Sequence, residues 1–367
     1  MKKLLSLALI LVLSLTALVG CGGGGGSTEE GAADPVTVGF IYIGPVGDGG
    51  FTDAHDRGRL YLEEQMGAKV RTIYQENVPE TMQDVKNAAK IMIDEGASII
   101  FTTSFGFMDA TEELAAEYPE VKFMHFSGYK MNDTNFGNYF GAMEEARYLS
   151  GIAAGLKTES NKIGFVGAFP LTELFIGINA FTLGAQSVNP DATVQVIWTN
   201  SWYDPAKEKE AAEALLAAGC DVIAQHCDTT GPQVAAQEKG VWAIGYNSDT
   251  AESAPEAFMT APVWNHGIFY VQQVQAVIDG TWTPQSYYGN MAEGYIDLLP
   301  LTAVAPEGAA EKIEEVRAQI ESGEFNPFTG PVKDQAGNVV VAEGEKLTRE
   351  QIWQMNYLVQ GVEGTTK

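Results

Sequence analysis

The chain is 367 residues long and carries a formal net charge of −26, from 22 Lys and Arg against 48 Asp and Glu. Such a surface repels phosphate backbones and anionic lipid heads, which argues against nucleic acid as a partner. No Gly-x-x-x-x-Gly-Lys-Ser/Thr string occurs and no Gly-x-Gly-x-x-Gly opens a helix, so ATP and dinucleotide cofactors have no support and none is expected.

The chain starts with an export signal. Met1-Lys2-Lys3 is basic and Leu4 to Leu18 is apolar, a run shorter than the roughly 18 residues a spanning helix needs. Leu18-Val19-Gly20-Cys21 resembles a bacterial lipobox, which implies a signal peptide over residues 1–20 and a diacylglycerol on the Cys21 thiol. Cleavage there removes two lysines and no acidic residue, taking the charge from −26 to −28. Residues 21–35, with Gly22 to Gly26, cannot pack a core and read as a flexible tether. The expected location is the extracytoplasmic face of the cell membrane, with the lipid as the only membrane contact.

From Val36 the chain alternates β-branched runs with amphipathic stretches. Strands are predicted at Val36–Ile43, Lys69–Tyr74, Ser98–Thr103, Val121–Phe126 and Phe136–Ala142, with helices at Asp53–Met66, Glu80–Glu95, Met108–Tyr118 and Glu144–Leu156. A second series follows: strands at Lys162–Val166, Thr193–Trp198, Asp221–Gln225 and Val241–Gly245, and helices at Glu173–Val188, Pro205–Ala218 and Thr230–Lys239. Alternation of this kind predicts α/β architecture, because parallel strands need crossover connections. Two series of ~150 residues each make two doubly wound parallel-sheet lobes. Phe136–Ala142, Ala257–Val263 and Tyr295–Leu299 are read as a three-crossing hinge. One lobe is then drawn as 36–142 plus about 264–325, the other as 143–263 plus about 326–367. A surface hairpin is expected within Pro327–Gly344 and a closing helix at Arg349–Gln360. Cys220 and Cys227 end one strand, ~23 Å apart at ~3.3 Å per residue, so two free thiols are expected. Neighbouring residues His226, Cys227 and Asp228 alternate faces, which argues against a metal site.

Ligands of open parallel sheets sit beyond the carboxyl ends of the strands. The loops there interleave aromatic rings with Ser, Asn, Asp and Gly and carry almost no Lys or Arg, a lining suited to a flat, neutral, hydrogen-bonding solute. Ser104, Phe105, Gly106 and Ser127 stand at strand ends of the first lobe. Asp228 and Asn247 offer base-edge partners in the second. Asp228 is equally placed to cap a helix, and Asp48, within Gly47-Asp48-Gly49-Gly50, to make a turn. The run Lys207, Glu208, Lys209, Glu210 and Glu213 reads as a solvated helix face.

Asn200-Ser201-Trp202-Tyr203-Asp204-Pro205, Asn161-Lys162-Ile163-Gly164-Phe165-Val166-Gly167-Ala168, Gly177-Ile178-Asn179-Ala180-Phe181 and Asn326-Pro327-Phe328-Thr329-Gly330-Pro331 closely resemble the basic membrane protein family. These are lipid-anchored solute receptors of ABC importers, related to the purine nucleoside receptor. The resemblance covers Val36 to Gly364 and implies a type I periplasmic-binding-protein fold, a monomer that closes on a purine and partners with permease and ATPase subunits. It also implies a base clamped between Phe51 and Trp202, although each ring could instead simply pack. Nucleoside-binding relatives place ribose-holding Asp and Lys residues in the second half. Here Asp249 remains, but Val263-Trp264-Asn265-His266 holds no lysine, which resembles the adenine-binding branch and implies a free base ahead of a nucleoside. The alternatives are a purine-sensing receptor, another flat ring such as riboflavin, and a nucleoside-cleaving hydrolase. The last lacks a Gly-x-Ser-x-Gly elbow and an evident Ser or Cys partner for His55, His125, His226 and His266, so no enzyme is expected.

Overall fold

A computed structural model describes residues 34–367. The expected signal peptide, Cys21 and nearly all of the expected tether lie outside the described residues.

The first series gives β1 (Val36–Ile41), α1 (Phe51–Met66), β2 (Val70–Gln75), α2 (Met82–Asp94), β3 (Ala97–Thr102), α3 (Met108–Glu117), β4 (Lys122–Phe126) and β5 (Phe136–Gly141), followed by α4 (Met143–Lys157). The second gives β6 (Lys162–Gly167), α5 (Thr172–Val188), β7 (Thr193–Trp198), α6 (Pro205–Ala217), β8 (Val222–His226), α7 (Gly231–Lys239), β9 (Trp242–Ile244) and β10 (Phe258–Thr260). Capping residues set several of these ends. Thr81 accepts the Asp84 N–H to start α2, Asp204 accepts the Lys207 N–H to start α6 with Pro205 next, and Gly240 at φ +73° closes α7.

After β10 come β11 (Pro262–Trp264), α8 (His266–Ile278), β12 (Ser286–Gly289), β13 (Ile296–Leu298) and α9 (Ala309–Glu321). The chain then adds β14 (Val332–Lys333), β15 (Val339–Val341), α10 (Arg349–Ile352) and β16 (Val362–Glu363). Two six-stranded sheets result, in the orders β12-β5-β4-β3-β1-β2 and β10-β9-β8-β6-β7-β16, parallel throughout. Each contains the same doubly wound core, with its first strand (β1 or β6) between the second and third. The topological switch points therefore fall at β1/β3 and β6/β8, where loops diverge and leave a crevice. The last two expected crossings meet as an antiparallel ribbon, with Val263 opposite Asp297. Helix α9, drawn above with the first lobe, packs on α4.

Helices α4 and α5 pack very closely, because a Cβ on Gly151 would collide with the Phe181 carbonyl and one on Gly184 with that of Tyr148. Among the described residues no helix is long and apolar enough to cross a membrane. Cys220 and Cys227 are free and buried.

The hairpin β14–β15 forms inside Pro327–Gly344. The closing helix does not extend to Gln360: α10 ends at Ile352. Buried Ile352, Met355, Leu358, Val359 and Val362 mimic a helical period. The backbone instead bonds to Asn179, whose Oδ1 accepts the Val359 N–H at 2.8 Å and whose Nδ2 donates to the Tyr357 carbonyl at 2.9 Å. Tertiary hydrogen bonds thus replace the i→i−4 ladder and deliver β16 to the edge of the second sheet.

Candidate ligand-binding cleft

The carboxyl ends of β1, β3 and β4 face those of β6, β7 and β8 across a narrow, nearly closed slit with a cavity volume of about 20 Å3. Ile43, Phe51, Ser104, Phe105, Phe126 and Ser127 line one side, and Glu173, Trp202, His226 and Asp228 the other. The two walls touch. Ser248 Oγ donates to the Gly49 carbonyl at 3.2 Å, Ser127 Oγ donates to Glu173 Oε2, and a Cβ on Gly50 would collide with the Asp228 carbonyl.

On the first wall Asp48 ties its own loop together. Its carboxylate accepts the N–H groups of Gly50 (2.8 Å), Thr52 (3.0 Å) and Asp53 (2.9 Å), which opens α1 and sets Phe51 at its first position. Burial pushes the Asp48 carboxyl up to about 6 against the downward pull of those three donors. Phe51 meets His55 and Phe126 edge-on at 4.7 and 5.6 Å. Behind it His55 lies flat on His266 at 3.9 Å; burial lowers both imidazoles, so the stacked rings are neutral and do not repel. Glu80 fastens the next loop, its Oε1 accepting from Ser104 Oγ at 2.6 Å and from the Gly106 N–H at 2.9 Å. Gly106 therefore serves that loop and is not among the residues lining the slit.

On the second wall Trp202 follows β7, its indole against Phe169 at 5.2 Å and its carbonyl accepting the Asp228 N–H at 3.1 Å. Glu208 holds the two loops together. It accepts from the Asp204 N–H at 3.0 Å, the Thr229 N–H at 3.0 Å and Thr229 Oγ1 at 2.7 Å. This corrects the solvated-face reading: Glu208 is fully buried and shares a helical stripe with Ala211, Ala212 and Leu215.

Asp228 is 3% exposed and does not cap α7, whose N-cap is Thr230. No side chain or backbone group among the described residues hydrogen-bonds its carboxyl, which faces the slit. Burial, then the charges of Asp48, Glu208, Glu173 and Glu80, raise its pKa well above the carboxylate range. That shift favours its protonated form, which offers one donor and one acceptor side by side. Glu173, in the first turn of α5, joins the walls: its Oε1 lies 3.3 Å from His226 Nε2 and its Oε2 accepts from Ser127. Sequence reasoning selected neither Glu173 nor His226 for the site, although Glu173 opens the helix after β6 and His226 ends β8. The cluster of Ser127, Glu173 and His226 has the acid in the middle, so the imidazole does not reach the serine hydroxyl as a base would.

Asn247 and Asp249 lie elsewhere. With Trp264 and His266 they line a wider groove of about 330 Å3, open to solvent, between α1 and the β11–α8 turn. Asp249 is exposed and its carboxylate makes a turn bond to the Ala251 N–H at 3.1 Å. Trp264 Nε1 donates to Asn247 Oδ1 at 3.1 Å, and the indole meets Phe126 of the slit edge-on at 5.1 Å. The indole therefore stands as a partition between slit and groove. Size favours the groove; the slit has the switch points and the buried acids.

Two lobes meeting on a slit, with rings on both walls and hydrogen-bonding groups between them, define a solute-binding protein of the type I periplasmic class. A solved ABC transporter solute-binding protein from Aeropyrum pernix K1 shares this fold, with a TM-score of 0.69 at 20% identity over 82% of this chain and 93% of its own. The family model described as Bmp, ABC transporter substrate-binding protein PnrA-like, matches residues 35–324, and the chain belongs to this family. It is 44% identical to a purine-binding protein of Brucella abortus over 90% of this chain and 94% of that one. It is 35% identical to a Haloferax volcanii ABC transporter binding protein, named provisionally for glucose, over 92% of this chain and 83% of that one. As an ABC substrate-binding protein it takes a small-molecule ligand outside the cytoplasm and works with permease and ATPase subunits.

Proposed function

We propose that this chain is a monomeric lipoprotein, anchored through Cys21 on the extracytoplasmic face of the membrane, that captures a purine and delivers it to its permease. Adenine or a related free base is the preferred cargo, with nucleosides weaker and no chemistry performed on either. The observation that carries this reading is Asp228: a buried carboxyl with no protein partner, shifted toward its protonated form, in a slit walled by Phe51 and Trp202. A carboxylic acid matches an amidine edge, a ring nitrogen beside an exocyclic amine, by donating to one and accepting from the other. Rings on either side supply the stacking surface. The kinship with the Brucella purine-binding protein supports the same cargo.

The Trp264 partition supports a free base, since a sugar on the ring would have to occupy the space the indole fills. Isothermal titration of the soluble domain tests both levels of the reading. Adenine is expected to bind more tightly than adenosine, and a tighter grip on adenosine removes the free-base version. The name of the Haloferax relative supplies the second reading, since aromatic rings also stack on sugars; glucose binding with no response to adenine would replace the purine.

A further inference from the structure

Beneath the second wall lies a cation that the cleft described so far does not use. Arg147, on α4, is fully buried, with its guanidinium 3.7 Å from the centre of the Tyr246 ring. One nitrogen donates to the Gln225 carbonyl at 2.8 Å, while Nε and a terminal nitrogen have no partner. No carboxylate among the described residues pairs with it directly. A buried charge of this kind is costly unless something nearby depends on it. His226 stands next to it, with its Nδ1 also buried and unpartnered. A carbon on Gly177 would lie 3.5 Å from Arg147 Nε and 3.6 Å from His226 Nδ1, so both nitrogens border one small space. On its other side the same imidazole reaches Glu173.

We propose that Arg147 is a positioning residue of the cleft: it fixes His226 as the Nε2–H tautomer and thereby orients Glu173 as a hydrogen-bond acceptor for an amino group of the ligand. A guanidinium is cationic and has only donors, so the imidazole nitrogen on its side keeps its lone pair even though the two groups do not hydrogen-bond. The single imidazole proton is then on Nε2, pointing at Glu173 Oε1. Burial, and after the opposing pull of Glu173 the charge of Arg147, disfavour a second proton on His226. The other groups around this pair are Tyr246 after β9 and Cys227 after β8; Asp228 acts on Tyr246 and is itself flanked by Glu208 on α6 and by Asp48 and Glu80 from the first wall. Burial and nearby acids shift Asp228 toward its protonated form, which sets Glu173 as the acceptor opposite a donor. An aminopurine satisfies that pairing; an oxopurine puts oxygen against oxygen.

This inference rests on the purine reading, and two measurements separate their failures. Nitrogen-15 NMR of the ring of His226 in the intact soluble domain is expected to show a single Nε2–H tautomer between about pH 5 and about pH 8. A proton on Nδ1 overturns the proposal whatever the protein binds. Calorimetry with adenine and hypoxanthine is the second measurement. If neither base binds, the purine reading fails while the tautomer still decides this one. Arg147→Met is expected to lose the single tautomer and to narrow the preference for adenine over hypoxanthine by about tenfold, the worth of one directed hydrogen bond. Arg147→Lys is expected to restore both. Glu173→Gln, which leaves Arg147 in place, is expected to narrow the preference equally with the His226 tautomer unchanged. Should Arg147→Met not fold, the wild-type tautomer and the Glu173→Gln ratio decide the matter; an unchanged ratio there rejects the role of Glu173.

Discussion

The two walls of the slit treat the same side chain in opposite ways. On the first wall Asp48 and Glu80 are occupied by loops of that wall, Asp48 with three backbone N–H groups and Glu80 with Ser104 and Gly106. On the second, Asp228 has no partner, and burial and nearby acids, those of the first wall among them, shift it toward its protonated form. What separates a structural from a functional carboxyl here is whether nearby backbone has used its lone pairs. The first wall is a rigid platform for a ring, and the second holds the hydrogen-bonding capacity that a ligand would meet.

Four substitutions would break or sharpen this contrast. The largest effect is expected from Asp228→Ala, which should weaken purine binding by about ten- to hundredfold, equivalent to ~1–3 kcal/mol, as measured by calorimetry. Asp228→Asn keeps a donor beside an acceptor and should stay close to the parent. The parent should lose affinity as pH rises far enough to ionise Asp228, whereas the Asn variant should not. A flat alkaline profile in both would remove the neutral acid from the site.

Asp48→Ala should act on the fold first, costing about 1 kcal/mol of stability in chemical denaturation through loss of the α1 cap. Any weakening of purine binding should be smaller than for Asp228→Ala. Equal losses at both positions would erase the distinction between the walls.

A further effect is one of pH. Because the folded-state pKa of Asp48 is raised from 3.8 to about 6, the folded protein holds a proton that the unfolded chain releases. Its contribution to stability therefore falls as pH rises from about 4 to about 6. Glu145 and Glu144, raised by burial to about 7 and about 8, extend the same trend to higher pH. Asp48→Asn should flatten only the lower segment of the thermal-stability profile. An unchanged slope between about pH 4 and about pH 6 would show that the three N–H donors outweigh burial.

The alternation of strands and helices was legible because parallel strands are apolar runs bounded by turn residues, and β1, β3, β6 and β8 stand where such runs occur. The same reasoning lost the C-terminal segment, where spacing matched a helix but the backbone bonds went to Asn179. Glu208 was misread for a related reason: in a run of alternating charges only the stripe with Ala211, Ala212 and Leu215 shows which face is buried.

By itself the sequence determined the architecture and the set of loops from which a site can be built. Periodicity and turn chemistry are local, and each lobe repeats the same local order. Only the tertiary structure decided which loop residues meet. It drew Glu173 and His226 to the slit, separated Asn247 and Asp249 into the groove, and left Asp228 unpartnered. Those outcomes depend on distances between residues far apart in the chain, and on low-dielectric burial that no single segment creates alone.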